Sequence, residues 1–128
     1  PGIISNNVFR NLPNVAIAAK SQTAVTSNLF DVQHYAVRVI PGAKNVVING
    51  NCIYYSKNPP KEVYATIVVS AEGGDNKITE NIVVANNVIY ANETYTNLWT
   101  GIWVHGNSTV HNVKNVVISG NTIAVGRV

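Results

Sequence analysis

Apolar and polar positions along this 128-residue chain follow one recurring pattern. An aliphatic residue is followed three positions later by asparagine, and two positions after that by a second large apolar residue. The sets are Ile4-Asn7-Phe9, Val25-Asn28-Phe30, Ile48-Asn51-Ile53, Val84-Asn87-Ile89 and Ile118-Asn121-Ile123. Successive marked asparagines lie 21, 23, 36 and 34 residues apart, so one short unit recurs and its later copies carry insertions. Recurrence at this period is the signature of a solenoid, in which each unit buries its apolar side by stacking on its neighbours.

The unit is clearest at residues 45–55 (NVVINGNCIYY) and 115–125 (NVVISGNTIAV). Each copy is two short β-branched-rich runs separated by Asn, Gly or Ser. That break is too compact for a helix, and it carries the residue types that tolerate positive φ, so it predicts a sharp bend between two strands. A third run precedes each of the later copies, at 36–40 (AVRVI), 66–69 (TIVV) and 101–104 (GIWV), with 15–18 (VAIA) as a weaker fourth. The expected fold is therefore all-β: a parallel β-helix of about five coils with three strands per coil. Stacking at about 4.7–4.9 Å places like residues of successive coils side by side. The five marked asparagines should then form a ladder whose amides bond to one another and to bend backbone that would otherwise be buried unpaired.

Period-two alternation sorts the third strand of each coil. Val37, Val39, Ile67, Val69, Ile102 and Val104 point inward, leaving Arg38, Val68 and Trp103 in one outward row, with Ile40, Ser70 and His105 in the next. The insertions lie on both sides of this strand. Residues 70–80 and 105–114 follow it, where the preceding coil has only 41–44, and residues 56–64 and 91–100 lead into it. The third strand becomes the floor of a trough. Its walls hold Glu72, Asp75, Glu80 and His111 on one side and Glu62, Tyr64, Glu93, Tyr95 and Trp99 on the other.

A flat indole stacks on the face of a sugar ring while a guanidinium holds hydroxyls or a carboxylate. Arg38, Trp103, Tyr64, Tyr95 and Trp99 are accordingly the candidate substrate-binding residues. Cleavage of a glycosidic bond uses two carboxylates about 5–5.5 Å or about 6.5–9.5 Å apart. Glu72, Asp75 and Glu80 on one loop are the candidate catalytic acids, with His105 beside them as an acid or base near neutral pH. The histidines are not at ligand spacing, so neither a metal nor another cofactor is expected.

Composition narrows the class. Charged residues are only 12 % and apolar residues 46 %, and no run approaches the ~18 apolar residues that span a bilayer. The formal charge of +3 is dispersed over nine basic residues without a stripe, so neither nucleic acid nor membrane is an expected partner. Cys52 lacks a partner for an internal disulfide, and its place after an Asn bend predicts a packed or partly covered thiol. The chain reads as a single β-helix domain over 1–128. Both ends fall within coils, which suggests a piece of a longer protein or ends covered by neighbouring subunits.

The GIWV run at 101–104, the NVVISGNTI run at 115–123 and the matching copies at 45–53 and 81–89 resemble the right-handed parallel β-helix, or pectin-lyase-like, superfamily along essentially the whole chain. This group includes pectate lyases, polygalacturonases, alginate epimerases and bacteriophage tailspikes. The resemblance implies a right-handed coil, long polysaccharide substrates and a groove along one strand face. The floor row lacks the acids of calcium-dependent pectate lyases. Of the polygalacturonase Gly-His-Gly only His105-Gly106 is present, and the Asp-Pro-His-Asp of the epimerases is absent. Short coils, few charges, Asn-rich bends and missing end caps are most like a tailspike segment, a resemblance that implies flanking domains or the other subunits of a homotrimer covering the open ends. The implied function is extracellular binding of bacterial surface polysaccharide, with hydrolysis or elimination if the acids converge. The alternatives are a secreted pectin-lyase-like enzyme and a non-catalytic structural or adhesin solenoid.

Overall fold

A computed structural model describes residues 1–71, 77–92, 95–106 and 112–125. Its first coil comprises β1 (Gly2–Ser5), β2 (Val8–Leu12) and β3 (Ile17–Ala19), and the second β4 (Thr23–Thr26), β5 (Leu29–Val32) and β6 (Val37–Val39). The third has β7 (Lys44–Asn49), β8 (Cys52–Tyr55) and β9 (Val63–Ser70). The fourth has β10 (Ile78–Ala85), β11 (Val88–Ala91) and β12 (Leu98–His105), and β13 (Asn112–Ser119) and β14 (Thr122–Ala124) complete the set. Each of the first four coils adds one strand to each of three sheets, and β13 and β14 extend the first two: β1-β4-β7-β10-β13 (first), β2-β5-β8-β11-β14 (second) and β3-β6-β9-β12 (third). All recorded pairings are parallel. This is a parallel β-helix of the kind the asparagine spacing predicts.

The bend between the first and second sheets explains the repeat. The residue before each ladder asparagine lies in the left-handed region, with φ of 58° at Asn6, 55° at Ser27, 65° at Gly50, 55° at Asn86 and 61° at Gly120. The asparagine that follows turns its amide into the stack. Asn51 Oδ1 accepts the Asn28 backbone N–H at 3.0 Å and Asn28 Nδ2 at 3.1 Å. Its Nδ2 donates to Val25 O and to Asn87 Oδ1, each at 2.9 Å. Two acceptor sites and two donors are the full capacity of the amide, and all four are used. Asn28 and Asn87 have the same set of partners one coil below and above.

With that register fixed, apolar residues form columns. Ile4, Val25, Ile48, Val84 and Ile118 align in the first sheet, and Phe9, Phe30, Ile53, Ile89 and Ile123 in the second. The Phe9 and Phe30 rings stack at 4.8 Å and 8°. Ile17, Val37, Ile67 and Ile102 make the column of the third sheet. The expected alternation holds there over 37–39, 67–69 and 102–104, although inward-facing Val104 is exposed because no described strand lies above it. Cys52 aligns with Val8, Leu29, Val88 and Thr122 as expected. It is exposed rather than covered, because that row lies on the outer side of the second sheet and none of the described residues covers it.

The ladder makes an unequal demand on its rungs. Asn51→Ala would leave the Asn28 backbone N–H and one of the two Asn28 side-chain N–H groups without their acceptor, and the Val25 carbonyl without its amide donor, in a buried setting, at about 1–3 kcal/mol for each unsatisfied group. Asn7 is exposed and loses only peripheral bonds. Urea unfolding should therefore show Asn51→Ala destabilised by about 3 kcal/mol or more and Asn7→Ala by less than about 1 kcal/mol. Equal losses would mean that the amides are not what holds the coils in register.

Candidate functional site

The third sheet carries the candidate site. Ala18, Arg38, Val68 and Trp103 are consecutive register partners across β3, β6, β9 and β12, so the outward row is present as the alternation requires. Arg38 and Trp103 are separated by the strand that holds Val68, a spacing of about 9.5 Å. Val68 is only 4 % exposed yet lies outside the core cluster, as expected for a floor residue covered by larger neighbours on either side.

The strands of this sheet lengthen toward the upper coils. β3 and β6 have three residues each, whereas β9 and β12 have eight. Tyr64 and Trp99, which the sequence places on loop walls, are therefore strand residues continuous with the floor. The extension is held by the Val63 N–H to Asn97 O bond at 2.7 Å and by Thr100 Oγ1, which donates to Tyr64 O at 3.1 Å. Parallel pairing of Leu98 with Val63 and of Thr100 with Ala65 costs no apolar exposure, since Val63, Ala65 and Leu98 are buried.

On this extension the aromatic side chains form one cluster. Tyr64 meets Trp99 edge-on with ring centroids 5.7 Å apart and an interplanar angle of 70°, and it meets Trp103 at 5.7 Å and 47°. His105 stacks on the other side of Trp103 at 4.8 Å and 27°. Tyr64, Trp99, Thr100 and Trp103 line a cleft of about 230 Å³. Trp99 and Tyr64 remain 44 % and 48 % exposed, so ring surface is open to a ligand. Larger hollows exist, about 440 Å³ beside Lys44 and Lys77 and about 460 Å³ around Ile3 and Val47. They are shallow and carry no clustered rings, so the smaller cleft is the better ligand site.

The other candidates separate from this cluster. Tyr95 is partly buried against the core, and its hydroxyl donates to Ser56 O at 2.8 Å, so it braces the stacked loops that enter the third sheet. Glu80 belongs to the first sheet. Its Oε1 lies 2.7 Å from Lys44 Nζ, and Lys114 is its register partner on the other side. The base of the loop that holds Glu72 and Asp75 is tied down by Thr79 Oγ1, which donates to Ser70 O at 3.0 Å and accepts the Gly42 N–H at 2.9 Å. Glu72, Asp75, Glu93 and His111 themselves lie outside the described residues, and among the described residues no three His, Cys, Asp or Glu side chains gather as a metal site.

Sequence reasoning missed the role of His34. It lies in the turn before β6, its ring 4.2 Å from that of Tyr35, and its carbonyl accepts the hydroxyl of buried Tyr55 at 2.8 Å. Burial raises the pKa of that phenol. Burial, together with the Arg38 guanidinium, holds His34 below its ordinary value. Nothing in the sequence pattern signals this pairing, because His34 and Arg38 meet only once the turn closes.

No protein-family model matches the chain, and no curated protein and no solved structure matches it either. The site is therefore interpreted from its own geometry.

Because the folded His34 resists protonation, the unfolded chain binds more protons just below the ordinary imidazole pKa of about 6.5. Its contribution to stability is full above that value and is lost as pH falls through the window below it. Thermal unfolding followed from pH 7.5 to 5.5 should show a falling midpoint for the parent and a flatter profile for His34→Gln. Parallel profiles would place the pH sensitivity elsewhere.

Proposed function

We propose that this chain binds polysaccharide on the outer face of its third sheet, as part of a tailspike-like receptor-binding protein that grips bacterial surface glycan outside the cell. The observation that carries the reading is the Tyr64-Trp99-Trp103 cluster around an open cleft. Aromatic faces exposed on a rigid strand present area for stacking on the C–H face of a sugar ring at little entropic cost, since the rings are already held by one another. Arg38 stands two strand spacings away in the same row, a separation longer than one sugar ring. The indole and the guanidinium therefore contact different residues of one chain, and the guanidinium favours a carboxylate-bearing residue at its position.

Binding is favoured over cleavage because Glu80 is engaged with Lys44 on the first sheet, and the residues that line the cleft, Tyr64, Trp99, Thr100 and Trp103, include no carboxylate. The resemblance of the repeat to the pectin-lyase-like group adds the expectation of a long polymer as ligand.

Affinity electrophoresis and calorimetry against neutral and acidic bacterial surface polysaccharides test the reading. Trp99→Ala and Trp103→Ala should each weaken binding by about tenfold, the loss of roughly 1.4 kcal/mol of stacking, while Arg38→Ala should weaken acidic glycans selectively. Unchanged affinity in all three variants, or no affinity in the parent for any polymer, would sink the proposal. Release of reducing or unsaturated ends that disappears in a Glu72→Gln, Asp75→Asn, Glu80→Gln triple variant would add cleavage to binding.

A further inference from the structure

Strict alternation would place Trp99, Gly101, Trp103 and His105 on one side of β12 and Leu98, Thr100, Ile102 and Val104 on the other. The strand departs from this. Leu98 is buried, Trp99 and Thr100 are both exposed, and Gly101 is buried. The environment of Gly101 fixes its direction: a Cβ there would lie 2.5 Å from Ile123 Cγ2 and 3.2 Å from Ile123 Cδ1. Ile123 belongs to the inward row of β14, in register with fully buried Ile89. Gly101 thus faces the interior between two residues, Trp99 and Trp103, that face out. The adjacent strand has the same irregularity, with Tyr64 exposed and Ala65, Thr66 and Ile67 all at 0 % exposure. The third sheet is creased here, and the aromatic cleft lies along the crease.

We propose that Gly101 is a positioning residue for the cleft. Its missing side chain lets β12 close onto Ile123. The resulting turn of the strand sets Trp99 and Thr100 on one wall and Trp103 on the other. Gly101 does not have a left-handed backbone conformation, unlike Gly42, Gly50 and Gly120, so only the occupied space excludes a side chain. A cleft of about 230 Å³ is smaller than the ~300–1,000 Å³ of pockets that enclose whole ligands, and it takes a single ring of a longer chain. Widening or skewing it costs the stacking contact while leaving both indoles present. The consequence for glycan binding rests on the function proposed above, whereas the geometric role does not.

A double-mutant cycle separates the two. Gly101→Ala places a Cβ against Ile123, so that β12 or the Ile123 side chain must shift, and Ile123→Ala removes the three nearest atoms that such a Cβ would meet. Ile123 is 45 % exposed, so its truncation should be tolerated. Expected for Gly101→Ala are altered near-ultraviolet circular dichroism from the coupled Tyr64, Trp99 and Trp103 rings and a roughly tenfold weaker Kd for the glycan that the parent binds best. Ile123→Ala alone should keep the parent spectrum and Kd, and Gly101→Ala/Ile123→Ala should regain both. Thermal unfolding of all four proteins confirms that the comparison is between folded chains. A parent-like spectrum and Kd in Gly101→Ala, or a folded double variant that regains neither, would overturn the positioning role. A spectrum that changes and is rescued in a parent without glycan affinity would uphold it and overturn the binding function instead.

Discussion

This fold depends most on three asparagine amides, those of Asn28, Asn51 and Asn87, that have no water to turn to. A primary amide offers two donors and two acceptor sites, and leaving one unpaired in a dry interior costs more than most single contacts contribute. The bend between the first two sheets meets that demand only when the next coil presents its own asparagine one strand spacing away. The Asn7-Asn28-Asn51-Asn87-Asn121 stack, with Nδ2 to Oδ1 distances of 3.2, 3.1, 2.9 and 3.0 Å, is therefore a register lock. A slip of one residue in any strand would bury the polar face of a sheet and expose the apolar one, and it would break two rungs as well. Phe9 on Phe30, Ile48 on Val25 and every other column follows from that constraint.

The third sheet is where the constraint is weakest, and there the chain varies most. Two of the three sheets meet at the ladder, and their strands stay in register there: the second sheet keeps strands of three to five residues, and the first lengthens from four to eight only at the end away from the ladder. The third is reached through connections that carry no rung. Its strands grow from three residues in β3 and β6 to eight in β9 and β12, and the additional residues bring Tyr64 and Trp99 onto the same surface as Trp103. A rigid scaffold with variable connections beside one face is the usual division of labour between stability and recognition. Here it operates within a single coil, whose ladder corner is fixed and whose third strand is free to lengthen.

That division also decides what could be read from the sequence. The repeat is legible because its signal is chemical as well as apolar: asparagine at one position, five times, with an αL-tolerant residue before it. The Arg38-Val68-Trp103 row is legible because period two holds locally over 67–69 and 102–104. The placement of Tyr64 and Trp99 in strands is not, since Pro59-Pro60 and Thr96-Asn97 just ahead of them read as loop, and the bonds that extend the strands join residues of successive coils. Nor is the crease at Gly101, because a glycine within an apolar run carries no indication of which neighbour occupies its missing side chain. The Lys44-Glu80 pair spans two coils, with no local pattern to announce it, and Tyr95 reads as an exposed wall residue until its hydroxyl is seen to reach Ser56. What failed to appear in the sequence is in each case a contact between coils outside the ladder.

Because each coil of a solenoid touches only its neighbours, stability and site geometry can be assigned to particular coils. The rings of the aromatic cleft come from the third and fourth coils, through β9 and β12, with Ile123 of β14 behind Gly101. The Asn7 rung supports the lower end of the stack without bearing on Tyr64, Trp99 or Trp103. The Asn51 and Asn87 rungs do bear on them, since they set the height of the two coils that supply the rings. In the function proposed above, glycan recognition is thus tied to the middle of the ladder. A change in the spacing of those two coils moves the rings relative to each other, so the buried amides that fix the register also bear on the width of the cleft.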